Sequence, residues 1–514
     1  MPPSQKVHSS PSLSSSSSSS GPRRIVFFHP DLGIGGAERL IVDAAVGLQE
    51  QGNKVTIFTS HCDPQHCFEE ARDGTLDVRV RGHTLFPSTL LNRFHILFAT
   101  LRQIHLVLSI AVWSKELDSL KPDVFVVDQL AACVPLLRWL YPGRQRTLFY
   151  CHFPDQLLAD RRTPGILGLI KKIYRFPFDW YEGWSMSASD KIVVNSAFTK
   201  SVASRVWPNL ADSLGVIYPC VSVEAKESPP ALDQTPLWDG QFKILLSINR
   251  FERKKDIGLA IRAYDKLSAA ERKGTRLVIA GGYDQRLPEN VQYHKELVDL
   301  AEGLGLSTAT AKTVPTALGI RNNIQVLFLL SVPGPFKTTL LNNARLLVYT
   351  PPNEHFGIVP VEAMQYGVPV LASNTGGPLE TIVEGKTGWL RDVSKVDEWA
   401  AIMKKVLHEL DPSELRSLGR SGKERVQQHF TKQIMARKLQ DEMSEMLTGK
   451  RSAFLERKDI TLGLWIAAAF LAALVSTIIK AKSGRVDPRA SAFTQARRMN
   501  TGPGAEVNMF KTMQ

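Results

Sequence analysis

Short apolar runs recur along this chain, each closed by a polar or glycine-bearing turn and followed by a stretch of helix length. Such a run, too brief for a helix and without polar alternation, marks a strand buried on both faces of a parallel sheet. The first is Ile25-Val26-Phe27-Phe28. Gly33-Ile34-Gly35-Gly36 follows it, and a helix-like stretch over 37–50 stops near Gly52. Strand-like runs at 55–59, 124–127, 147–150 and 192–194 continue the series. A composition shift from Glu227-Ser228-Pro229-Pro230 to Pro236 interrupts it, and the alternation restarts at 243–248, 276–280, 325–330, 346–349 and 368–372. Two successive β/α arrays joined by a Pro-rich linker predict an α/β fold of two Rossmann-like, doubly wound domains facing a cleft. At 514 residues the chain is also too long for one ordinary core. The expected organisation is a disordered Ser-rich tail over 1–22, an N-terminal Rossmann-like domain over 23–228, a linker over 229–240 and a C-terminal Rossmann-like domain over 241–449.

Beyond residue 449 the composition changes. Residues 460–479 carry no charge, and a helix of that length spans about 30 Å, the thickness of a bilayer core. They are expected to form a transmembrane or membrane-anchoring segment, followed by a basic tail over 480–514; a buried globular helix is the competing reading. Residues 1–21, with serines from 14 to 20, lack the apolar stretch of a secretory signal. Cys62, Cys67, Cys133, Cys151 and Cys220 are few and scattered and match no disulfide framework or zinc pattern. Both observations favour cytosolic domains. Against them stands the positive-inside rule, because four Lys/Arg precede the apolar segment within twenty residues and six follow it. A segment lying in the interface removes that conflict.

Composition narrows the class further. Hydrophobic residues at 43% and charged residues at 22% exclude a wholly disordered or fibrous protein, and a mean hydropathy of −0.10 excludes a polytopic transporter. Lys+Arg 63 against Asp+Glu 50 leaves +13, a surplus that attracts anions.

Three loops at the carboxyl ends of the expected strands can carry chemistry. In His29-Pro30-Asp31-Leu32-Gly33-Ile34-Gly35-Gly36-Ala37-Glu38, glycines stand between a strand and a helix, where bare N–H groups approach a phosphate or a sugar. This is not a dinucleotide fingerprint: Glu38 occupies the third glycine position, and no acidic residue ends the second strand near Thr59. A plain tight turn has the same composition. Asn249-Arg250-Phe251-Glu252-Arg253-Lys254-Lys255-Asp256 follows the first strand of the second array, and two cations there can neutralise a diphosphate without a metal. A solvated basic loop is the alternative. The most specific loop runs from Pro351 to Glu362. Pro360 tolerates only a first helical turn, so a helix starts close to Gly357 with free N–H groups facing the cleft. Glu354 precedes that helix and Glu362 lies about one turn inside it; a carboxylate accepting two hydrogen bonds suits the vicinal hydroxyls of a sugar or ribose. Asn374-Thr375-Gly376-Gly377 adds a further glycine loop on the same rim. Asp128, at the end of the 124–127 strand, is placed to meet an acceptor hydroxyl.

Glu354-x7-Glu362, in the setting E-H-F-G-I-V-P-V-E-A-M, resembles the E-x7-E signature of retaining two-Rossmann (GT-B type) transferases of glycosyltransferase family 4. The G-I-G-G-A-E loop and the Arg250…Lys255 pair match the same family, and the similarity runs from about Arg24 to Leu447. Within it, H-P-D-L-G-I-G-G-A-E-R-L, Y-C-H-F-P-D, L-S-I-N-R-F-E-R-K-K-D and the apolar C-terminal segment resemble the dolichol-pathway mannosyltransferases. The resemblance implies transfer of mannose, α-1,3 then α-1,6, from GDP-mannose to a dolichol-linked oligosaccharide at the endoplasmic reticulum membrane, with the catalytic domains in the cytosol. It implies that Arg250 and Lys255 hold the donor diphosphate, that Glu354 binds hydroxyls of the transferred mannose, and that Gly357 and Ile358 offer N–H groups to phosphate. Glu362 would grip the ribose diol, His152 in Cys151-His152-Phe153-Pro154 would sit beside the donor sugar, and Gly35 and Gly36 would line the substrate loop. No cofactor and no metal are expected. The implied route is a front-face displacement in which the leaving diphosphate takes the acceptor proton; double displacement through a carboxylate is the competitor.

A lipid acceptor needs a landing surface. Residues 94–113 are apolar nearly all round, interrupted by Arg102, His95 and His105, whereas 156–184 mix Arg161, Arg162, Lys171, Lys172 and Arg175 with Phe176, Phe178, Trp180 and Trp184. Cations interleaved with aromatics suit an anionic membrane interface, and core helices with basic outer faces are the alternative. The expected partners are therefore the membrane, the two substrates and other transferases of the same pathway. No nucleic-acid-binding module accompanies the charge, which excludes that partner. Two rival functions remain open: a transferase of this fold using another nucleotide sugar or lipid acceptor, and a catalytically inactive membrane scaffold. Intact Arg250, Lys255, Glu354 and Glu362 argue against the scaffold.

Overall fold

The computed structural model describes residues 21–87, 89, 94–158, 165–221, 237–449, 451 and 457–483. Most of the Ser-rich start, most of the linker, Arg161, Arg162 and the tail beyond 483 lie outside the described residues. The chain divides into a main body up to residue 454 and a separate C-terminal unit.

The body contains two parallel seven-stranded sheets. The first comprises β1 (Arg24–Leu32), β2 (Lys54–Cys62), β3 (Asp77–Val80), β4 (Val124–Asp128), β5 (Arg146–Cys151), β6 (Lys191–Val194) and β7 (Leu214–Val216), in the order 3-2-1-4-5-6-7. The second comprises β8 (Lys243–Ile248), β9 (Thr275–Gly281), β10 (Thr308–Ala311), β11 (Val326–Leu330), β12 (Ala344–Tyr349), β13 (Val370–Ser373) and β14 (Gly388–Arg391), in the order 10-11-9-8-12-13-14. In each sheet the order reverses beside the first strand, the switch point at which open α/β sheets bind ligands. The central strands match the expected apolar runs because both their faces are buried; Val124 to Asp128, for example, is buried throughout.

The helices that bear on the site are α1 (Gly36–Glu50), α2 (His95–Leu108), α3 (Gly165–Ser187), α4 (Ala197–Val206), α5 (Ile358–Gln365), α6 (Pro412–His429) and α7 (Lys432–Thr448), with α8 (Arg457–Ser483) in the C-terminal unit. The boundary expected at 449 needs correction. After α6 the chain crosses back: Val221 N–H donates to the Phe430 carbonyl at 2.9 Å, and α7 buries Met435, Ala436, Leu439 and Met443 among Leu40, Ile41, Ala44 and Leu48 of α1. The second domain's own core therefore ends near Phe430, and α7 completes the first domain.

Two apolar stretches have different fates. The expected core-or-membrane stretch 94–113 forms α2 and one further π-type turn, Ser109–Trp113. It is long and apolar enough to cross a membrane, yet Leu97, Leu106, Val107 and Ile110 are buried in the first domain. The uncharged stretch 460–479 lies within α8, a continuous helix of 27 residues.

Candidate active site

Strand order brings the first cluster together. β1, β4 and β5 are neighbours, so His29, Asp128 and His152 emerge side by side at the carboxyl edge of the first sheet. Asp128 is almost wholly buried, and both its oxygens are engaged: Oδ2 with His29 Nδ1 at 2.7 Å and Oδ1 with His152 Nε2 at 2.6 Å. Burial opposes its charge, but the two imidazoles outweigh that and hold the carboxyl below the usual aspartate range. The expectation that Asp128 meets an acceptor hydroxyl is corrected here, because no oxygen is left facing the cleft. It orients His152 instead. Burial likewise opposes a proton on His152, and Asp128, helped by Glu38 in the first turn of α1, raises its pKa above the ordinary histidine value. The His152 side chain keeps about a fifth of its surface exposed. Gly35 caps α1 and Gly36 begins it, bringing the glycine loop to this same edge.

The second sheet supplies the opposite wall. β8 and β12 are neighbours, so the loops after them meet. Lys255, in a single 3-10 turn over Arg253–Lys255, forms a short ion pair with Glu354, and Tyr349 donates to the same Glu354 oxygen at 3.0 Å. Burial raises the Glu354 pKa, and Lys255 outweighs it, so the group is held below the usual glutamate range. Thr350 Oγ1 donates to the Lys255 carbonyl at 2.7 Å and ties the two loops together. Arg250 stands outward, 63% exposed, and pairs with Glu252 at 2.9 Å. α5 starts at Ile358 after Gly357, whose φ of +83° only glycine adopts easily, and Pro360 falls in its first turn as expected. Glu362, five residues into α5, accepts from Lys337 Nζ at 2.6 Å.

The glycine loop after β13 does something other than line the rim. Gly377 donates to the Glu354 carbonyl at 2.7 Å, and a Cβ there would lie 2.2 Å from the Phe356 carbonyl oxygen. Thr375 Oγ1 accepts from Asn353 N–H at 3.0 Å. This loop is the shelf on which the Glu354 loop rests.

The two clusters meet across the cleft. Phe153, next to His152, stacks on His355, next to Glu354, with centroids 3.7 Å apart and planes 5° from parallel. Ser196 Oγ donates to the His355 carbonyl at 2.5 Å, while the Glu380 carboxylate accepts from Ala197 and Phe198 N–H, both at 2.7 Å, at the start of α4. Burial, opposed by Glu354 and reinforced by Lys255, Lys254 and His152, brings the His355 pKa down to about 4. The sequence reading did not single out His29, Phe153, Ser196, Lys337, Tyr349, His355 or Glu380 for roles. The only advance signal was position, since His29, Phe153 and His355 sit inside the quoted motifs.

Among the described residues no group of three or more His, Cys, Asp or Glu is arranged to hold a metal ion. The assembled edges instead offer two cations, Arg250 and Lys255, the N-terminus of α5, two carboxylates and a histidine oriented by a buried aspartate. That donor set suits a phosphorylated sugar nucleotide.

Comparison with known proteins gives a consistent result. Residues 34–225 match the family model "Glycosyltransferase Family 4" and residues 230–425 match "Glycosyl transferases group 1". The alpha-1,3/1,6-mannosyltransferase alg-2 of Neurospora crassa is 54% identical over 89% of this chain and 97% of its own length. The corresponding Saccharomyces cerevisiae protein, ALG2, is 43% identical over 83% of this chain and 85% of its own. Among solved structures, sucrose-phosphate synthase from Thermosynechococcus elongatus superposes with a TM-score of 0.59 at 18% identity, covering 83% of this chain and 99% of that one. Anabaena Alr3699/HepE in complex with UDP gives 0.58 at 17% identity, covering 82% and 100%. At such identities the structural matches establish the fold alone.

Proposed function

The chain belongs to the alpha-1,3/1,6-mannosyltransferases of glycosyltransferase family 4, and on that premise we propose that it transfers two mannoses, first α-1,3 and then α-1,6, from GDP-mannose to Man1GlcNAc2-diphosphodolichol. The observation that carries this reading is identity of 54% across nearly the full length of a named enzyme of that activity. The site chemistry agrees with it. Arg250 and Lys255 hold the donor diphosphate and balance the charge that develops as it leaves. Glu354, fixed by Tyr349 and the Gly377 shelf, takes mannose hydroxyls, and Lys255 is shared between it and the diphosphate. Gly357 and Ile358 offer N–H groups to phosphate, and Glu362 takes the ribose diol. His152, held by Asp128 through Nε2, has Nδ1 left for a donor-sugar hydroxyl. Transfer proceeds with retention and needs no added metal. α8 anchors the protein in the endoplasmic reticulum membrane, and the catalytic body faces the cytosol; five unpaired cysteines, four of them buried, suit that reducing side.

The test is transfer by the reconstituted full chain with GDP-mannose and synthetic Man1GlcNAc2-diphospholipid, with chelator and without. A gain of two hexoses by mass, abolished in Glu354→Ala, is the expected result. Transfer only from a UDP-sugar keeps the fold and changes the substrate. No transfer from any donor, with Lys255→Ala still supporting growth in cells, favours the scaffold.

A further inference from the structure

The most conspicuous surface of the body is unrelated to the cleft chemistry. α3 exposes Ile166 at 78% and Phe176 at 73%, and Leu169, Ile170, Ile173 and Trp180 at between 46% and 65%. At 3.6 residues per turn, these six side chains fall within about 120° of arc. They form one continuous stripe, not a scatter of surface apolars. The short helix Asp155–Leu158 packs against α3 and adds exposed Leu157 and Leu158. Charge identifies the occupant. Residues 165–178 contain no acidic side chain, and Lys172 is exposed about 40° from the edge of the stripe, with Lys171 exposed on the far side of the helix. Apolar and aromatic side chains bordered by a lysine, on a segment whose only charges are positive, fit the boundary between acyl chains and anionic headgroups, with the Lys172 stem reaching up to the phosphates.

The opposite side of α3 is tied to the active site. Arg175 donates to the Asp155 carboxylate at 2.7 Å, and the Glu182 carboxylate accepts from the N–H groups of Asp155 and Gln156 at 2.6 and 3.2 Å. Asp155 lies three residues after His152 and two after Phe153 in the same loop. Tyr181 OH donates to the Ala132 carbonyl at 2.8 Å and fixes the helix to the domain. One helix thus carries an apolar face outward and grips the catalytic loop inward. We propose that the outer face of α3 docks on a lipid bilayer bearing anionic headgroups, and that the Arg175 and Glu182 clamp holds the His152 loop in register with that surface. The second half rests on the acceptor being lipid-linked, as argued above; the first does not. With the helix seated, the sugar of a membrane-embedded acceptor is presented to the cleft at a fixed height, independently of where α8 tethers the chain.

The test uses the full chain with benzoylphenylalanine at Phe176, irradiated on phosphatidylcholine vesicles with and without phosphatidylinositol. Phospholipid adducts at this position, more abundant with phosphatidylinositol, are the expected result. Adducts confined to the chain's own C-terminal segment, to a second copy or to another protein overturn the proposal, as does a folded, vesicle-bound protein that gives none. The double variant Ile170→Glu/Ile173→Glu tests the coupling. It lowers transfer to a long-chain acceptor in vesicles by about tenfold or more, the scale expected when two large side chains lose apolar burial. It leaves transfer to a short-chain, soluble acceptor unchanged. Equal loss on both acceptors, or loss on neither, refutes the coupling. Absence of transfer by the unsubstituted chain on both acceptors indicts the mannosyltransferase reading instead, and the cross-link still decides the docking face.

Discussion

Asp128→Asn separates positioning from catalysis at this site. The substitution preserves shape and removes the charge that both His29 and His152 share. Because His152 can release its proton when its counterion goes, the variant avoids an unpaired buried charge there and still folds. What it loses is a charge-assisted hydrogen bond to His152, worth about 1.5–3 kcal/mol. At about 1.4 kcal/mol per decade that is roughly a 10- to 150-fold fall in kcat. Direction of pH dependence supplies a second readout. In the native protein Asp128 outweighs burial and raises the His152 pKa above its ordinary 6.5, so an imidazolium function is present at low pH and fades as pH rises through that elevated pKa. Stability follows the same sign: the contribution is complete below 6.5 and is lost as pH rises through the folded-state pKa. In Asp128→Asn the limb on both profiles moves to lower pH. Steady-state transfer assays across the neutral range, with thermal unfolding at each pH, measure both. His152→Gln should remove the limb altogether. If Asp128→Asn unfolds like the native protein yet keeps native kcat and an unshifted limb, then Asp128 is a core residue only and does not position His152.

Three further outcomes follow from contacts elsewhere in the cleft. Gly377→Ala places a Cβ against the Phe356 carbonyl, so the Glu354 loop must shift; transfer falls by about tenfold or more and stability by at least about 1 kcal/mol, read by kinetics and thermal melts. Unchanged values would mean the shelf is dispensable. Glu380→Ala removes the cap shared by Ala197 and Phe198, costs about 0.5–2 kcal/mol, and expands the apo protein in small-angle scattering as the domains part. An identical radius of gyration would show that this contact does not hold the domains. His355, brought down to about 4 chiefly by burial, refuses a proton that the unfolded chain accepts; stability is therefore complete above 6.5 and falls by up to about 3 kcal/mol as pH drops towards 4. His355→Phe keeps a ring against Phe153 and should flatten that part of the acid limb, so an unaltered slope would assign the limb to other groups.

The parts of this molecule legible in sequence, and those that were not, divide along one physical line. Strands flanked on both sides bury both faces and read as apolar runs. β3, β7, β10 and β14 escape that pattern, and all four are sheet edges: Asp-Val-Arg-Val, Leu-Gly-Val, Thr-Ala-Thr-Ala and Gly-Trp-Leu-Arg each leave part of their length half-exposed. α7 reads as an ordinary amphipathic helix, and nothing in its own residues says that its apolar face belongs to a sheet begun some four hundred residues earlier.

The same distinction explains the site. Loops at strand ends are local, so the motifs already put Arg250, Lys255, Glu354, Gly357 and Glu362 at the carboxyl edge of the second sheet, where the structure has them. Pairings are set by strand order, which is not local. Asp128 shows the consequence most clearly. A carboxylate ending a strand looks available to substrate when that strand is considered alone. Between β1 and β5, each delivering a histidine at the same level, it has no free oxygen left. The stack of Phe153 on His355 carries the logic one step further, because it joins the His152 loop of one sheet to the Glu354 loop of the other. Two motifs that sequence offers as separate sites are thus mechanically one, and a substitution in either domain that parts those rings should disturb both halves of the cleft together.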